Sequence, residues 1–344
     1  MKARLKSKLN LEKRTPLQDV IPLQTPFLLY LDPSSACNFR CQFCPTGHKD
    51  LIDKSGYRRG PMSLDLFEKT IQDLSEFNQP LKVLRMNKVG EPFLNKNLSQ
   101  MVALAKRSGS VEFIDLTTNG SLFSPERLSR LLEAGLDRLN ISLEGMNREQ
   151  YRQYAKVDFD FDKFVKNVKW LYSNKGNCEV TIKIPGNYIN DDQKEEFLNT
   201  FGNYCDRIFI EDIAPIWPSF DIEAHSDITI GKLKGQYEQS VHPKGICSYI
   251  FYSAVINSDG SVSACCPDWA QKLIVGNVKT ESLKNIWHSS KMNNLRRQHL
   301  EGKRHANNTC SVCGHLSYCQ VDNIDPFREL LLNKFITYEK ECLA

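Results

Sequence analysis

An α/β protein built on a parallel sheet is predicted by three features of the 344-residue sequence. Short strand-like apolar runs alternate with helical stretches about six times between residues 25 and 212. That spacing leaves room for the crossover of a dozen or more residues that parallel neighbours require. Past Ile213 the alternation ends, with Pro215, Pro218 and Pro243 breaking it, and a separate module begins. The composition, 41% hydrophobic and 25% charged, supplies a sizeable core and excludes disorder as the main state.

The first strand signal is the apolar run Phe27 to Leu31, closed by the turn Asp32-Pro33. Ser63 to Phe77 reads as an amphipathic helix, with Leu64, Phe67, Ile71 and Leu74 at three- and four-residue spacing. Further strands are expected at Leu81 to Met86, Val111 to Thr117, Asp137 to Ser142, Val180 to Ile184 and Arg207 to Ile210. Ser124-Pro125-Glu126 supplies a helix cap, a first-turn proline and an acid near the positive helix end. After a boundary between 213 and 245, Ile250 to Asn257 and Ser261 to Ala264 read as two strands joined at Asp259-Gly260, a dipeptide suited to the positive φ of a hairpin. Pro326 to Lys340 reads as a helix. The expected organisation is therefore a basic tail over 1–24, a βα domain over 25–230 and a cysteine-bearing module over 231–344.

Charge and cysteine usage narrow the function classes. Residues 1–14 hold six bases (Lys2, Arg4, Lys6, Lys8, Lys13, Arg14) and one acid (Glu12), leaving 39 bases against 40 acids in a nearly neutral body. The tail is expected to be a solvated chain end. No run of about 18 uncharged apolar residues is present, and no secretory signal opens the chain, so a cytoplasmic protein with no membrane partner is expected. Twelve cysteines in such a compartment point to metal or catalysis, because the cytosol keeps thiols reduced. They fall into a group at Cys37, Cys41 and Cys44, a group at Cys310, Cys313 and Cys319, and an intermediate set at Cys247, Cys265 and Cys266. Cys178, Cys205 and Cys342 stand apart, the first two as expected buried hydrophobes.

The first group follows the first strand, where α/β proteins place their sites. Three thiolates cannot close a structural zinc site, although His48 lies near; on a [4Fe-4S] cluster they leave one iron open for an outside ligand. The segment Cys37-Asn38-Phe39-Arg40-Cys41-Gln42-Phe43-Cys44 resembles the signature of the radical S-adenosylmethionine (SAM) superfamily. The resemblance implies a partial (β/α)6 TIM-type barrel whose open iron chelates SAM and whose reduction yields a 5′-deoxyadenosyl radical, chemistry that side chains cannot supply. It implies that Phe43 lies near the adenine and that an electron donor such as a flavodoxin or ferredoxin serves the cluster. Gly90-Glu91-Pro92 resembles the motif that holds the SAM amino group, with Val89 in place of the usual first glycine. Thr118-Asn119-Gly120 and Ser142-Leu143-Glu144-Gly145 resemble segments that hold the ribose and orient SAM, so Asn119 and Ser142 are the expected contacts. Arg152 or Lys156 is expected to meet the SAM carboxylate.

Cys247, Cys265, Cys310, Cys313 and Cys319 resemble the C-terminal auxiliary-cluster module of the same superfamily. Its full SPASM form carries a cysteine where this chain has Asn323, whereas the reduced twitch form needs Cys247, Cys265, Cys310 and Cys313 and holds one auxiliary [4Fe-4S] cluster. Cys266 is an alternative to Cys265, and Cys319 with Cys342 a further one; a zinc site on the same four thiolates is the structural alternative. Asp268 lies near where a substrate proton would leave, or serves as a turn residue. Gly276-Asn277-Val278, Leu283 and Ile286-Trp287 resemble packing sequence of the module.

A saturated second cluster near the substrate implies oxidation of an alcohol to a ketone, and the closest family analogy is a dehydrogenase acting on a sugar, cyclitol or similar small molecule. Peptide modification or maturation is the runner-up, weakened by the 36 residues before Cys37, too few for a leader-binding domain. Epimerisation is the third reading, with Cys266, Cys319 or Cys205 returning hydrogen. A zinc-stapled nucleic-acid adaptor is disfavoured by the neutral body and by the lack of aromatics interleaved with bases. No catalytic residue is assigned from sequence.

Overall fold

A computed structural model describes residues 1–7, 14–57, 59–231 and 234–343, so Lys8, Glu12 and Lys13 of the basic segment lie outside the described residues. All six predicted strands of the first 212 residues form: β2 (Leu28–Leu31), β3 (Val83–Arg85), β4 (Ile114–Thr118), β5 (Arg138–Ser142), β6 (Glu179–Pro185) and β7 (Arg207–Glu211). They lie in sequence order in one sheet, each parallel to the next, with helices between them. The arrangement is an α/β core with a partial barrel-like sheet and a distinct C-terminal module.

The strands alternate more strictly than short apolar runs suggest. Leu29, Leu84, Leu116, Leu139, Val180 and Ile182 are fully buried against the helices. Most of the positions between them are polar, with Leu28 and Val83 as apolar exceptions beside Tyr30, and the register sets Arg85 beside Asp115, Thr117 beside Asn140, Asn140 beside Thr181, and Ser142 beside Lys183. A strand buried on both faces that keeps polar residues on one face must satisfy them there. Arg85 does so with both Asp115 carboxylate oxygens at 2.7 Å and with the Tyr30 hydroxyl at 3.1 Å.

Helix signals are also realised. Ser63 caps the helix Leu64–Leu74, accepting the Leu66 N–H, and Phe67, Ile71 and Leu74 are buried. Ser124 caps Pro125–Glu133 in the same way through Arg127 N–H. The C-terminal helix runs Arg328–Leu343 and begins two residues later than read, after a short turn over Asp325–Phe327. No helix among the described residues is long and apolar enough to cross a membrane.

Three expectations need correction. The described part of the basic tail is not a solvated end: β1 (Arg4–Leu5) pairs parallel with β7, and Lys2 and Ala3 donate to the Gly202 carbonyl at 3.0 and 2.8 Å. The physical reason is the open edge of β7, whose unpaired backbone groups accept a strand from any adjacent segment. In the module, residues 249–252 form a short helix, and the strand starts only at Ser253. There β8 (Ser253–Ile256) and β9 (Ser261–Ser263) make the expected hairpin, and β10 (Ile274–Asn277), read as packing sequence, adds a third strand. Finally, the segment after Ile213, read as a boundary, folds back over the carboxyl ends of the strands, as described below.

The module is continuous with the barrel because β8 pairs parallel with β2 over Leu28 to Leu31. Lys88, from the loop after β3, strengthens this junction by donating to Asn257 Oδ1 at 2.6 Å and to the Asp268 carbonyl at 2.9 Å.

Replacing Asp115 with Ala leaves the Arg85 guanidinium buried without its carboxylate. The unfolding free energy is expected to fall by about 3–5 kcal/mol in urea titration; a variant as stable as the parent would show that Asp115 does not carry this pair.

Candidate active site

The first cysteine loop leaves β2 at the carboxyl end of the sheet and doubles back on itself. Cys44 N–H donates to the Cys41 carbonyl at 3.1 Å and Gly47 N–H to the Cys44 carbonyl at 2.9 Å. Cys37, Cys41 and Cys44 line one side of a cavity of about 160 Å³, and Phe43, Gly90, Glu91, Asn119 and Ser142 line it too. The sequence-predicted residues of this site are thus brought together. Burial pushes the Cys37 thiol up to about 12 and the Cys41 thiol well above its ordinary value, with nearby carboxylates adding to the effect on both. Three adjacent thiols that resist ionisation when bare are suited to a cationic iron centre, which supplies the compensating charge.

The cavity also has unmet hydrogen-bonding capacity. Asn87 Oδ1, Thr117 Oγ1 and Glu144 Oε2 are buried, line this space and have no hydrogen-bond partner among the described residues. A polar ligand carrying donors, as the amino and ribose groups of SAM do, matches that set.

Glu91 has a second duty that its motif did not reveal. Its Oε1 accepts from Phe93 N–H at 2.9 Å and Thr118 Oγ1 at 2.7 Å, and its Oε2 accepts from Asn119 N–H at 2.8 Å. The carboxylate therefore ties the end of β3 to the end of β4, and desolvation raises its pKa in spite of these bonds. Gly90 is fixed by close approach: a Cβ there would stand 1.8 Å from the Ser34 carbonyl oxygen. Asn119 is held by Asn38 Oδ1 at 3.0 Å, which links the cysteine loop to the end of β4. Arg152 and Lys156 are corrected. Both are exposed and line neither cavity, and Arg152 pairs with Asp158 at 3.0 Å, because Tyr151 and Ala155 take the buried face of the helical segment Tyr151–Ala155 and leave Arg152 on its outer face.

A second cavity, of about 250 Å³, adjoins the first and shares Phe43, Asn87, Lys88, Ser142, Glu144 and Trp217 with it. Its far wall carries Lys183, Glu211 and Gln236. Lys183 and Glu211 form an ion pair, and Gln236 Nε2 donates to Glu211 Oε2 at 3.2 Å. Sequence reasoning missed Lys88, Lys183, Glu211 and Trp217; the polar positions within β6 and β7 were the available signal. Ile213, Ala214, Ile216 and Trp217 roof the cavity, so the presumed boundary segment is part of the site.

A third cavity is lined by Cys247, Cys265, Cys310 and Cys313 together with His299, Arg304 and His315. Here the four cysteines converge from the start of the module, the hairpin end and the C-terminal Cys-x-x-Cys. Cys247 lies ahead of the short helix 249–252 and not on the hairpin strand. Cys266 lines the second cavity and Cys265 the third, so adjacent thiols serve different spaces. Cys319 lines neither cluster cavity; its thiol donates to Gln236 Oε1 at 3.0 Å. The Cys342 side chain lies outside the described residues. Cys178 and Cys205 are buried as small hydrophobes just ahead of β6 and β7, and Cys205 donates to the Phe201 carbonyl at 3.3 Å, which removes it from the thiols facing a substrate. Asp268 is a turn-former: its carboxylate accepts Lys272 N–H at 2.7 Å and Leu273 N–H at 2.9 Å. Among the described residues, no three His, Cys, Asp or Glu side chains are grouped to hold a single metal ion.

Two family profiles match this chain: the radical SAM superfamily over residues 31–201 and the SPASM iron-sulfur cluster-binding domain over residues 247–314. The chain belongs to the radical SAM superfamily. This radical SAM enzyme has a SAM-binding [4Fe-4S] system and an auxiliary iron-sulfur module. It is 30% identical over 170 residues to a GTP 3′,8-cyclase of Heliobacterium modesticaldum, a match spanning 49% of each chain, so it covers about half the length of that relative. It is 21% identical over 306 residues to the S-adenosyl-L-methionine-dependent 2-deoxy-scyllo-inosamine dehydrogenase of Niallia circulans, covering 87% of this chain and 96% of the other. Among solved structures it is similar to BtrN in complex with AdoMet and 2-DOIA, with a TM-score of 0.54, 20% identity and coverage of 87% and 97%. It is also similar to Streptococcus suis SuiB bound to precursor peptide SuiA, with a TM-score of 0.61, 14% identity and coverage of 91% and 75%.

Gly90→Ala is expected to destabilise the chain by about 1–3 kcal/mol through overpacking and to lower iron at the first cysteine loop. Gly60→Ala, where an added Cβ has no neighbour within 4 Å, serves as the control. Equal thermal stability and iron content in the two variants would refute the close-approach argument.

Proposed function

We propose that this radical SAM enzyme takes a hydrogen atom from a compact polar group held in the second cavity and oxidises it, converting an alcohol of a sugar or cyclitol to a ketone. The observation that carries this reading is the position of that cavity. It shares walls with the space lined by Cys37, Cys41 and Cys44, and through His315 it adjoins the space lined by Cys247, Cys265, Cys310 and Cys313. At about 250 Å³ it is smaller than the ~300–1,000 Å³ of sites for drug-sized ligands, which suits one ring or one side chain.

When bound, the first cluster and SAM supply the 5′-deoxyadenosyl radical. Cys37, Cys41 and Cys44 would hold that cluster, Gly90, Glu91, Asn119 and Ser142 would bind SAM, and Phe43 would offer its ring to the adenine. Cys247, Cys265, Cys310 and Cys313 would hold the auxiliary cluster, the acceptor for the one electron that the substrate radical must still lose to become a ketone. Lys88 takes up the hydroxyl proton of the substrate. Its two protein acceptors use two N–H groups, which leaves its third position for a lone pair, and desolvation lowers its pKa and favours the neutral amine. Roof residues Ile216 and Trp217 exclude water from the radical. A ferredoxin or flavodoxin in the cytoplasm is the proposed electron donor.

Modification of a peptide side chain is a second reading, and the comparisons support it more strongly than the sugar reading. SuiB, solved with its precursor peptide, covers more of this chain and has a higher TM-score than BtrN. The partly open second cavity admits one side chain. Epimerisation remains attached to Cys266, whose thiol borders the same space.

Anaerobic turnover with SAM against sugars, aminocyclitols and peptides tests these readings by mass spectrometry. A loss of two hydrogens from a sugar or cyclitol supports the first, the same loss or a new cross-link in a peptide supports the second, and solvent deuterium retained in an otherwise unchanged product supports epimerisation. Replacing Cys37, Cys41 and Cys44 with Ala is expected to abolish reductive SAM cleavage. Replacing Cys310 and Cys313 is expected to remove about four irons; zinc in the parent at that site would overturn the assignment. Product formation should rise with pH through the lowered Lys88 pKa, because only the neutral amine accepts the proton, and Lys88→Met should remove that limb while retaining SAM cleavage.

A further inference from the structure

His299 lies in the last turn of the helix Ser290–Leu300 and is completely buried. Its Nδ1 accepts the backbone N–H of Cys247 at 3.1 Å. An imidazole nitrogen that accepts carries no proton, so the ring proton is on Nε2. That Nε2 is buried and has no hydrogen-bond partner among the described residues. The ring lines the cavity of Cys247, Cys265, Cys310 and Cys313. A buried donor left unmade costs about 1–3 kcal/mol, so its position calls for an acceptor. Arg304, on the same cavity, is itself a donor and gives Nη2–H to the Cys313 carbonyl at 2.8 Å. The acceptors that the four cysteines bring to this space are sulfur atoms.

We infer that His299 is a positioning residue of the auxiliary cluster, donating Nε2–H to one of its sulfurs and thereby raising its reduction potential. The inference rests on the assignment of the cluster to these four cysteines. A hydrogen bond to a cluster sulfur withdraws electron density and stabilises the reduced state, and the Arg304 cation acts in the same direction. The same ring fixes the backbone of a ligand through Nδ1, so one side chain sets both the place of Cys247 and the electron affinity of what it binds.

The test uses the full chain with Cys37, Cys41 and Cys44 replaced by Ala, so that only the auxiliary cluster is seen, and follows its reduction by EPR-monitored titration. His299→Asn keeps an acceptor near the Nδ1 position and removes the Nε2 donor; His299→Gln keeps a donor near Nε2. The potential is expected to fall in His299→Asn and to return toward the parent in His299→Gln, with iron content unchanged. Equal potentials in the parent and His299→Asn overturn the inference. Should His299→Asn take up no iron, a crystal structure of the iron-loaded parent decides: Nε2 facing a cluster sulfur supports the inference, and Nε2 bonded to iron or turned to a protein group overturns it. Failure of the underlying assignment is distinct, because the parent with His299 intact would then bind no iron at these cysteines.

Discussion

The parallel pairing of β2 with β8 is the constraint on which the rest of the molecule depends. The loop with Cys37, Cys41 and Cys44 continues from β2, while Cys247 and Cys265 flank the hairpin begun by β8. Adjacent strands in a sheet lie about 4.8 Å apart, so hydrogen bonds along this edge fix the module against the barrel, with the first cysteine loop after the carboxyl end of β2 and Cys247 and Cys265 on the amino-end side of β8. Lys88 adds a side-chain tie across that junction, and its burial makes the tie costly to break. Neither domain needs to recognise the other through a separate interface, because they share a ladder.

The polar face of the barrel follows from the same geometry. Parallel strands covered by helices ordinarily bury apolar residues on both faces. Here Tyr30, Arg85, Asp115, Asn140 and Thr181 turn inward and are held by one another or left with unused capacity, as Asn140 Oδ1 and Thr181 Oγ1 are. Such a floor is electrostatically defined before any ligand arrives, which is what a site that must hold a reactive species away from water requires.

Much of this was legible in the amino-acid sequence because the relevant signals are local. Strand runs, the Ser63 and Ser124 caps and the Asp259-Gly260 turn depend on neighbours a few residues away. The cysteine spacings are also local, and the residues proposed for the first cluster and SAM, Arg152 and Lys156 apart, line one cavity. What was not legible depends on pairs far apart in the chain. Arg4 meets Arg207 only through a sheet edge, Trp217 reaches the site only because its loop folds back, and the orphaned nitrogen of His299 has meaning only beside Cys247. Arg152 was misplaced because sequence proximity to a motif does not say which side of the strand end a turn will occupy.

Cys265 and Cys266, consecutive in the chain, line different cavities. One stretch of backbone thus walls two spaces, so a larger or smaller side chain at position 266 would reshape the second cavity without taking a sulfur from the third.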